Sequence, residues 1–122
     1  MLFEDLYTVD KVDENENSIF ATIRFNANHE IFNGHFPNQP VVPGVIQLQI
    51  IKELLEANLN TKLFMNNIIQ VKYISPIVPD THSEISVVIL KKNTDKESIR
   101  IDANISIKKL ITTKTKLEFC NC

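Results

Sequence analysis

Apolar and polar residues alternate without a break through residues 98–107, Ser-Ile-Arg-Ile-Asp-Ala-Asn-Ile-Ser-Ile. That is the period of a strand with one buried face. Looser alternation marks residues 2–12, 18–26, 67–74, 84–90 and 112–119 as further strands, the last of them at an edge of the sheet. Polar turns are predicted at residues 13–17 and 91–97. One segment departs from this period. From Gly44 to about Leu59 the spacing predicts a helix, which Pro43 is suited to open and Asn58 and Asn60 to close. On that helix Gln49, Lys52, Glu53 and Glu56 fall in one narrow arc. Ile46, Leu48, Ile50, Ile51, Leu54, Leu55, Ala57 and Leu59 cover most of the remainder. So broad an apolar surface needs burial on more than one side, which a sheet curled around the helix provides. Short turns between the late strands favour antiparallel pairing. The expectation is an α+β domain of about six strands and one central helix. Its open sheet edge would be removed by pairing with a second copy, so a homodimer is expected.

The chain of 122 residues fits one domain, residues 1–122. At 43% apolar and 23% charged, with net charge -2, it has enough apolar residues for a core and lacks the basic excess of a nucleic-acid binder. No stretch approaches the roughly 18 apolar residues that span a membrane, and the acidic start at Glu4 and Asp5 is unlike a signal peptide. Cys120 and Cys122, one residue apart, read as a reduced, frayed tail. A cytoplasmic protein is expected.

Both glycines (Gly34, Gly44) and three of five prolines (Pro37, Pro40, Pro43) fall within residues 34–44. Breakers this concentrated mark a special loop. It carries His35 and delivers the chain into the helix at Gly44. A helix N-terminus offers unpaired N–H groups and partial positive charge, and Gly44 has no side chain to block approach. An imidazole beside such a terminus suits enolate chemistry. The ring can take a proton from the carbon next to a thioester carbonyl while the Gly44 N–H holds the oxygen as it gains charge. A lone loop histidine is more often structural. The combination of His, spaced prolines and glycine entry lifts the functional reading.

Residues 34–45 also fit throughout the hallmark G-H-F-P-x-x-P-[VI]-x-P-G-V, and the chain therefore resembles the FabZ/FabA-like 3-hydroxyacyl-[acyl-carrier-protein] dehydratases. Upstream, residues 28–33 are similar to the family's approach to that motif. Downstream, residues 71–80, Val-Lys-Tyr-Ile-Ser-Pro-Ile-Val-Pro-Asp, resemble V-K-F-x-x-P-V-x-P-G-D with one glycine fewer. The matched stretches cover about a third of the chain. The resemblance implies a hotdog fold, a curled antiparallel sheet wrapped around a central helix, with two copies building acyl tunnels at their interface. It implies that His35 is the catalytic histidine and that Gly44 supplies the backbone donor to the thioester carbonyl. Phe36, Val41 and Val42, with Val45 beside them, would shape the acyl site. The substrate would be an acyl-carrier-protein or coenzyme A thioester. No metal or organic cofactor is required, and a higher oligomer than the dimer is left open.

The sequence departs from the family at one position. Six residues after the last motif proline the family has Glu, or in one branch Asp, contributed by the partner subunit's helix; here Gln49 stands there. A carboxamide can hydrogen-bond the 3-hydroxyl but cannot donate a proton as an acid does, and losing a positioned acid typically costs about 10²–10⁴ in rate. Three readings follow: a dehydratase that works with Gln49 positioning the hydroxyl, a catalytically weak acyl-thioester-binding partner subunit, or an acyl thioesterase. Glu53, one turn further, is read as part of the solvated arc. His29 is expected to stabilise its loop and His82 to sit in a surface turn, since their spacing with His35 fits no zinc pattern. Asp80 is expected to make a turn. The pairs at residues 91–92 and 108–109, all lysine, could meet an acidic carrier protein.

Overall fold

A computed structural model of the chain describes residues 5–32, 41–80, 83–94 and 97–121, without the side chain of Thr94. Its elements run β1 (Tyr7–Glu14), β2 (Ser18–Phe25), a 3₁₀ turn (Glu30–Phe32), α1 (Gly44–Leu59), β3 (Phe64–Tyr73), β4 (Ile85–Thr94), β5 (Ile99–Ile107) and β6 (Leu110–Cys120). The strands form one antiparallel sheet in the order β1-β2-β4-β5-β6-β3. The α+β class and the single central helix agree with the sequence reading, and the helix begins and ends where its spacing predicts.

The register explains why the helix is covered. Across β2 and β4, Ile19 faces Ile89, Ala21 faces Val87 and Ile23 faces Ile85. Across β4 and β5, Val87 faces Ile105 and Ile89 faces Ala103. All of these are buried, as are Ile46, Ile50, Ile51, Leu54 and Leu55 of α1. Period two on the strands and 3.6 on the helix thus meet in one layer. The helix closes with Asn60 in the left-handed region (φ 53°), its N–H donating to the Glu56 carbonyl. The Glu56 carboxylate then accepts the N–H of Leu63 at 2.8 Å, fixing the turn into β3.

Three local expectations are corrected. β6 is not an edge strand; it lies between β5 and β3, and the edges are β1 and β3. Its threonines made it look exposed, yet Thr112, Thr113 and Thr115 are buried. The hydroxyls of Thr112 and Thr115 donate to the carbonyls of Ile105 and Ala103, both at 3.1 Å. β4 runs on through Lys91, Lys92 and Asn93, with a bulge, where a turn was predicted. Cys120 is buried and disulfide-bonded, not reduced.

β3 presents an unusual edge. It is ten residues long, and Phe64, Ile68, Ile69 and Tyr73 are exposed along it. Ile74 and Val78, just beyond its end, and Val45, at the start of α1, are exposed as well. The β5–β6 hairpin turns on Lys108 and Lys109, both with positive φ (51° and 70°).

Candidate functional site

The residues leading into α1 are held by main-chain and side-chain bonds that link distant parts of the sequence. The N–H of Val42 donates to the carbonyl of Ile77 at 2.8 Å. The carbonyl of Val42 accepts from Nε2 of Gln47 at 3.2 Å. Oε1 of the same Gln47 accepts from the Thr113 hydroxyl at 2.5 Å. Gln47 and Thr113 are both buried, so this bridge runs through the core. The segment carrying Ile77 is itself anchored, since the N–H groups of Ile74 and Ser75 both donate to the carbonyl of Thr112. The helix entrance is therefore fixed by β6 and by the stretch after β3, and the two sequence motifs meet there.

Gly44 is the first residue of α1. A Cβ added to it would lie 2.4 Å from the Tyr73 hydroxyl oxygen and 2.5 Å from the ring carbon bearing it. The tip of the Tyr73 ring thus rests on the bare Cα of Gly44. Partial burial pushes the Tyr73 phenol above its usual range, so it stays a neutral hydroxyl. Of the other candidates, Val42 is buried, Val41 is half-buried and Val45 is 72% exposed. His35 and Phe36 lie outside the described residues.

Gln49 is half-buried on α1, and its Nε2 donates to Oε2 of Glu53 at 3.0 Å. The hydroxyl of Tyr7, on β1, donates to Oε1 of Glu53 at 2.7 Å. Tyr7 is 4% exposed. Burial first, then the hydrogen bond and the negative charge of Glu53, push its phenol far above the usual tyrosine range. Glu53 is consequently not a member of a solvated arc, as the sequence suggested. It is a half-buried carboxylate gripped by two donors, one of them 46 residues away. Gln47 and Tyr7 were missed by the sequence reading, because neither sits in a motif and their partners are non-local. Gly44 and Gln49 are brought onto one helix but not together. Five residues apart, they point about 140° away from each other.

His29 behaves as expected, its Nδ1 accepting the N–H of Ile31 at 3.0 Å. Asp80 makes its turn through Ser83, whose hydroxyl donates to it at 2.9 Å. His82 lies outside the described residues, among which there is no group of three or more His, Cys, Asp or Glu that could hold a metal.

Residues 11–113 match the family model described as ApeI-like, ApeI dehydratase. Over 46 residues the chain is 48% identical to a 3-hydroxyacyl-[acyl-carrier-protein] dehydratase FabZ of Lactococcus lactis, a match covering 37% of this chain and 30% of that one. Over 79 residues it is 33% identical to the FabZ of Streptococcus sanguinis, covering 58% and 56%. The matches thus span about a third to just over half of these relatives' length. The solved dehydratase heterocomplex ApeI:P of Xenorhabdus doucetiae is similar with a TM-score of 0.79 at 18% identity, covering 93% of this chain and 96% of that one. A hypothetical thioesterase with coenzyme A from Streptococcus pneumoniae is similar with a TM-score of 0.69 at 9% identity, covering 95% and 85%. At these identities the structural likeness is one of fold, the hotdog.

Proposed function

Because the chain belongs to the ApeI-like dehydratase family, we propose that it removes water from a 3-hydroxyacyl group to give a 2-enoyl group, the acyl chain being presented as a thioester of an acyl carrier protein or coenzyme A. The observation that carries this reading is the helix entrance. A glycine begins α1 with the Tyr73 ring tip seated against its bare Cα, and the chain before it is fixed by Val42, Ile77, Gln47 and Thr113. A donor meant for a developing oxyanion has to be held still before the charge appears.

In the proposed reaction His35 takes the proton from C2 of the acyl group. The thioester oxygen gains charge against the N–H of Gly44. The electron pair then forms the C2–C3 double bond as the C3–O bond breaks. The imidazolium returns its proton to the departing oxygen, which leaves as water, and His35 ends neutral. A single imidazole balances both proton transfers, so no separate acid is needed. Gln49 accepts a hydrogen bond from the 3-hydroxyl through Oε1 and orients it. Val41, Val42, Phe36 and Val45 are assigned to the acyl path.

Since Gly44 and Gln49 diverge around one helix, the two would serve the same substrate only from different subunits. The exposed apolar edge of β3, with Val45, Ile74 and Val78 near it, is where a second copy would pair. We therefore infer a homodimer with composite sites. No helix among the described residues is long and apolar enough to cross a membrane.

Gln49 favours one second reading, a binding subunit of low activity paired with a different hotdog chain. The ApeI:P neighbour is by its name a heterocomplex. The test is to supply 3-hydroxyacyl thioester and follow the conjugated enoyl product for the wild type, His35→Ala and Gln49→Glu. Turnover abolished in His35→Ala supports the dehydratase. Release of free thiol would make it a thioesterase. Binding of an acyl-thioester analogue without turnover would make it the binding subunit.

A further inference from the structure

We propose that Glu53, held in place by Tyr7, is the positioning residue that sets the orientation of the Gln49 carboxamide; the inference rests on the dehydratase reading above and assigns a role to residues outside its motifs. A glutamine amide has two faces of opposite character, an oxygen that accepts and a nitrogen that donates. On a half-exposed helix face nothing intrinsic chooses between them. Here a carboxylate one turn along the helix makes the choice. Glu53 can only accept while it is ionised, so it takes the Nε2 side of Gln49 at 3.0 Å and leaves the accepting atom, Oε1, for another partner. An acceptor is what a substrate hydroxyl requires if its own lone pairs are to face the proton arriving from His35.

Glu53 would not do this reliably on its own, because a long side chain on a helix surface samples several rotamers. Tyr7 removes that freedom. Its ring is buried, and its hydroxyl donates to the other carboxylate oxygen at 2.7 Å. The chain Tyr7–Glu53–Gln49 therefore runs from the buried first residue of β1 to two half-buried positions on α1, each member fixing the next. The Gln49–Glu53 step alone would be an ordinary i, i+4 surface pair. The buried donor behind it distinguishes this arrangement from one.

The experiment measures kcat and KM on a 3-hydroxyacyl thioester for wild type, Glu53→Leu, Glu53→Gln and Tyr7→Phe, with folding checked by circular dichroism and thermal melting. Glu53→Leu is expected to lower kcat on the order of tenfold or more with KM changed by about threefold or less, as for loss of an interaction used in the transition state. Glu53→Gln, which can still accept from Gln49 through its own amide oxygen, is expected to restore most of the kcat. Tyr7→Phe should fall between them. The deciding measurement is the double variant: in a Gln49→Ala background, Glu53→Leu should produce no further loss, because residues acting as a unit are not additive. Equal losses in the two backgrounds would show that Glu53 acts on the fold and would overturn the proposal. Wild-type kcat in a folded Glu53→Leu would overturn it too, while leaving the dehydratase reading intact. Absence of any dehydration by the wild type would sink both.

Discussion

Val42 and Ile77 are joined by a 2.8 Å main-chain hydrogen bond, 35 residues apart in the chain, and that bond brings the two stretches with motif character together at the helix entrance. Gln47 and Thr113 hold the other side of Val42 from within the core. Thr113→Val keeps the shape and deletes the donor, leaving a buried amide oxygen unpaired. A loss of about 1–3 kcal/mol in unfolding free energy is expected, read by urea denaturation. The isosteric pair Gln47→Leu with Thr113→Val should cost less than the sum of the single changes.

Gly44 gives a sharper test of the helix entrance. In Gly44→Ala the new Cβ meets the Tyr73 ring tip at 2.4 Å. Tyr73 is half exposed and can swing aside, so stability should change by about 1 kcal/mol or less. Dehydration should nevertheless fall on the order of 10²-fold, as for a small displacement of the reacting groups.

Tyr7 predicts an alkaline limb in the stability profile. An unfolded tyrosine ionises near its ordinary pKa of about 10. Burial and Glu53 keep the folded Tyr7 protonated well above that. The native state then binds the extra proton, so the contribution of Tyr7 is complete below pH 10 and is lost as pH rises beyond it. The slope is at most about 1.4 kcal/mol per pH unit. Tyr7→Phe should flatten this limb. It should also cost about 1.5–3 kcal/mol at neutral pH, the usual value of a hydrogen bond to a charged group. Denaturant midpoints between pH 7 and 11.5 would show both effects, with Tyr73→Phe as the control that retains the Tyr7 slope.

Much of this fold is legible from spacing alone. The helix from Gly44 to Leu59 and the alternation of β5 are strong periodic signals, and both ends of α1 follow from Pro43 and Asn60. The position of β6 was not legible. A run of Thr and Lys reads as a wetted edge, but buried threonines return their hydroxyls to nearby carbonyls and act as interior residues. Conversely, Ile68 and Ile69 belong to a strand that the spacing does mark, yet they lie exposed on the open edge of β3. Which strand is outermost depends on pairings between distant segments, and no local pattern records it. The same reason hid the site's supports. The motifs named Gly44, while Tyr7, Gln47 and Thr113 reach their partners only across the folded core.

The β3 edge carries the quaternary prediction. Ile68→Lys places a charge in the middle of an exposed apolar strand, a common device against edge pairing. Wild-type protein is expected to sediment as a dimer and Ile68→Lys as a folded monomer, with dehydration lost because each site would be left with one of its two helices. A monomeric wild type at micromolar concentration would rule out the composite site.

The β5–β6 turn can be improved. Two lysines with positive φ occupy positions that a tight hairpin normally gives to Asn and Gly. Lys108→Asn with Lys109→Gly should raise the unfolding free energy by about 1 kcal/mol. If these lysines also meet an acidic carrier protein, the stabilised variant should bind it more weakly, which titration calorimetry would detect.

α1 is at once the pillar that the sheet closes around and the surface that bears Gln49 and Glu53. Ile46, Leu48, Ile50, Ile51, Leu54 and Leu55 are locked by the interior, so variation on this scaffold falls mainly to the few slots of the polar arc. A glutamine in one slot and a carboxylate in the next is a change of that kind: the buried framework is kept whole while the polar arc is rewritten one helical turn at a time.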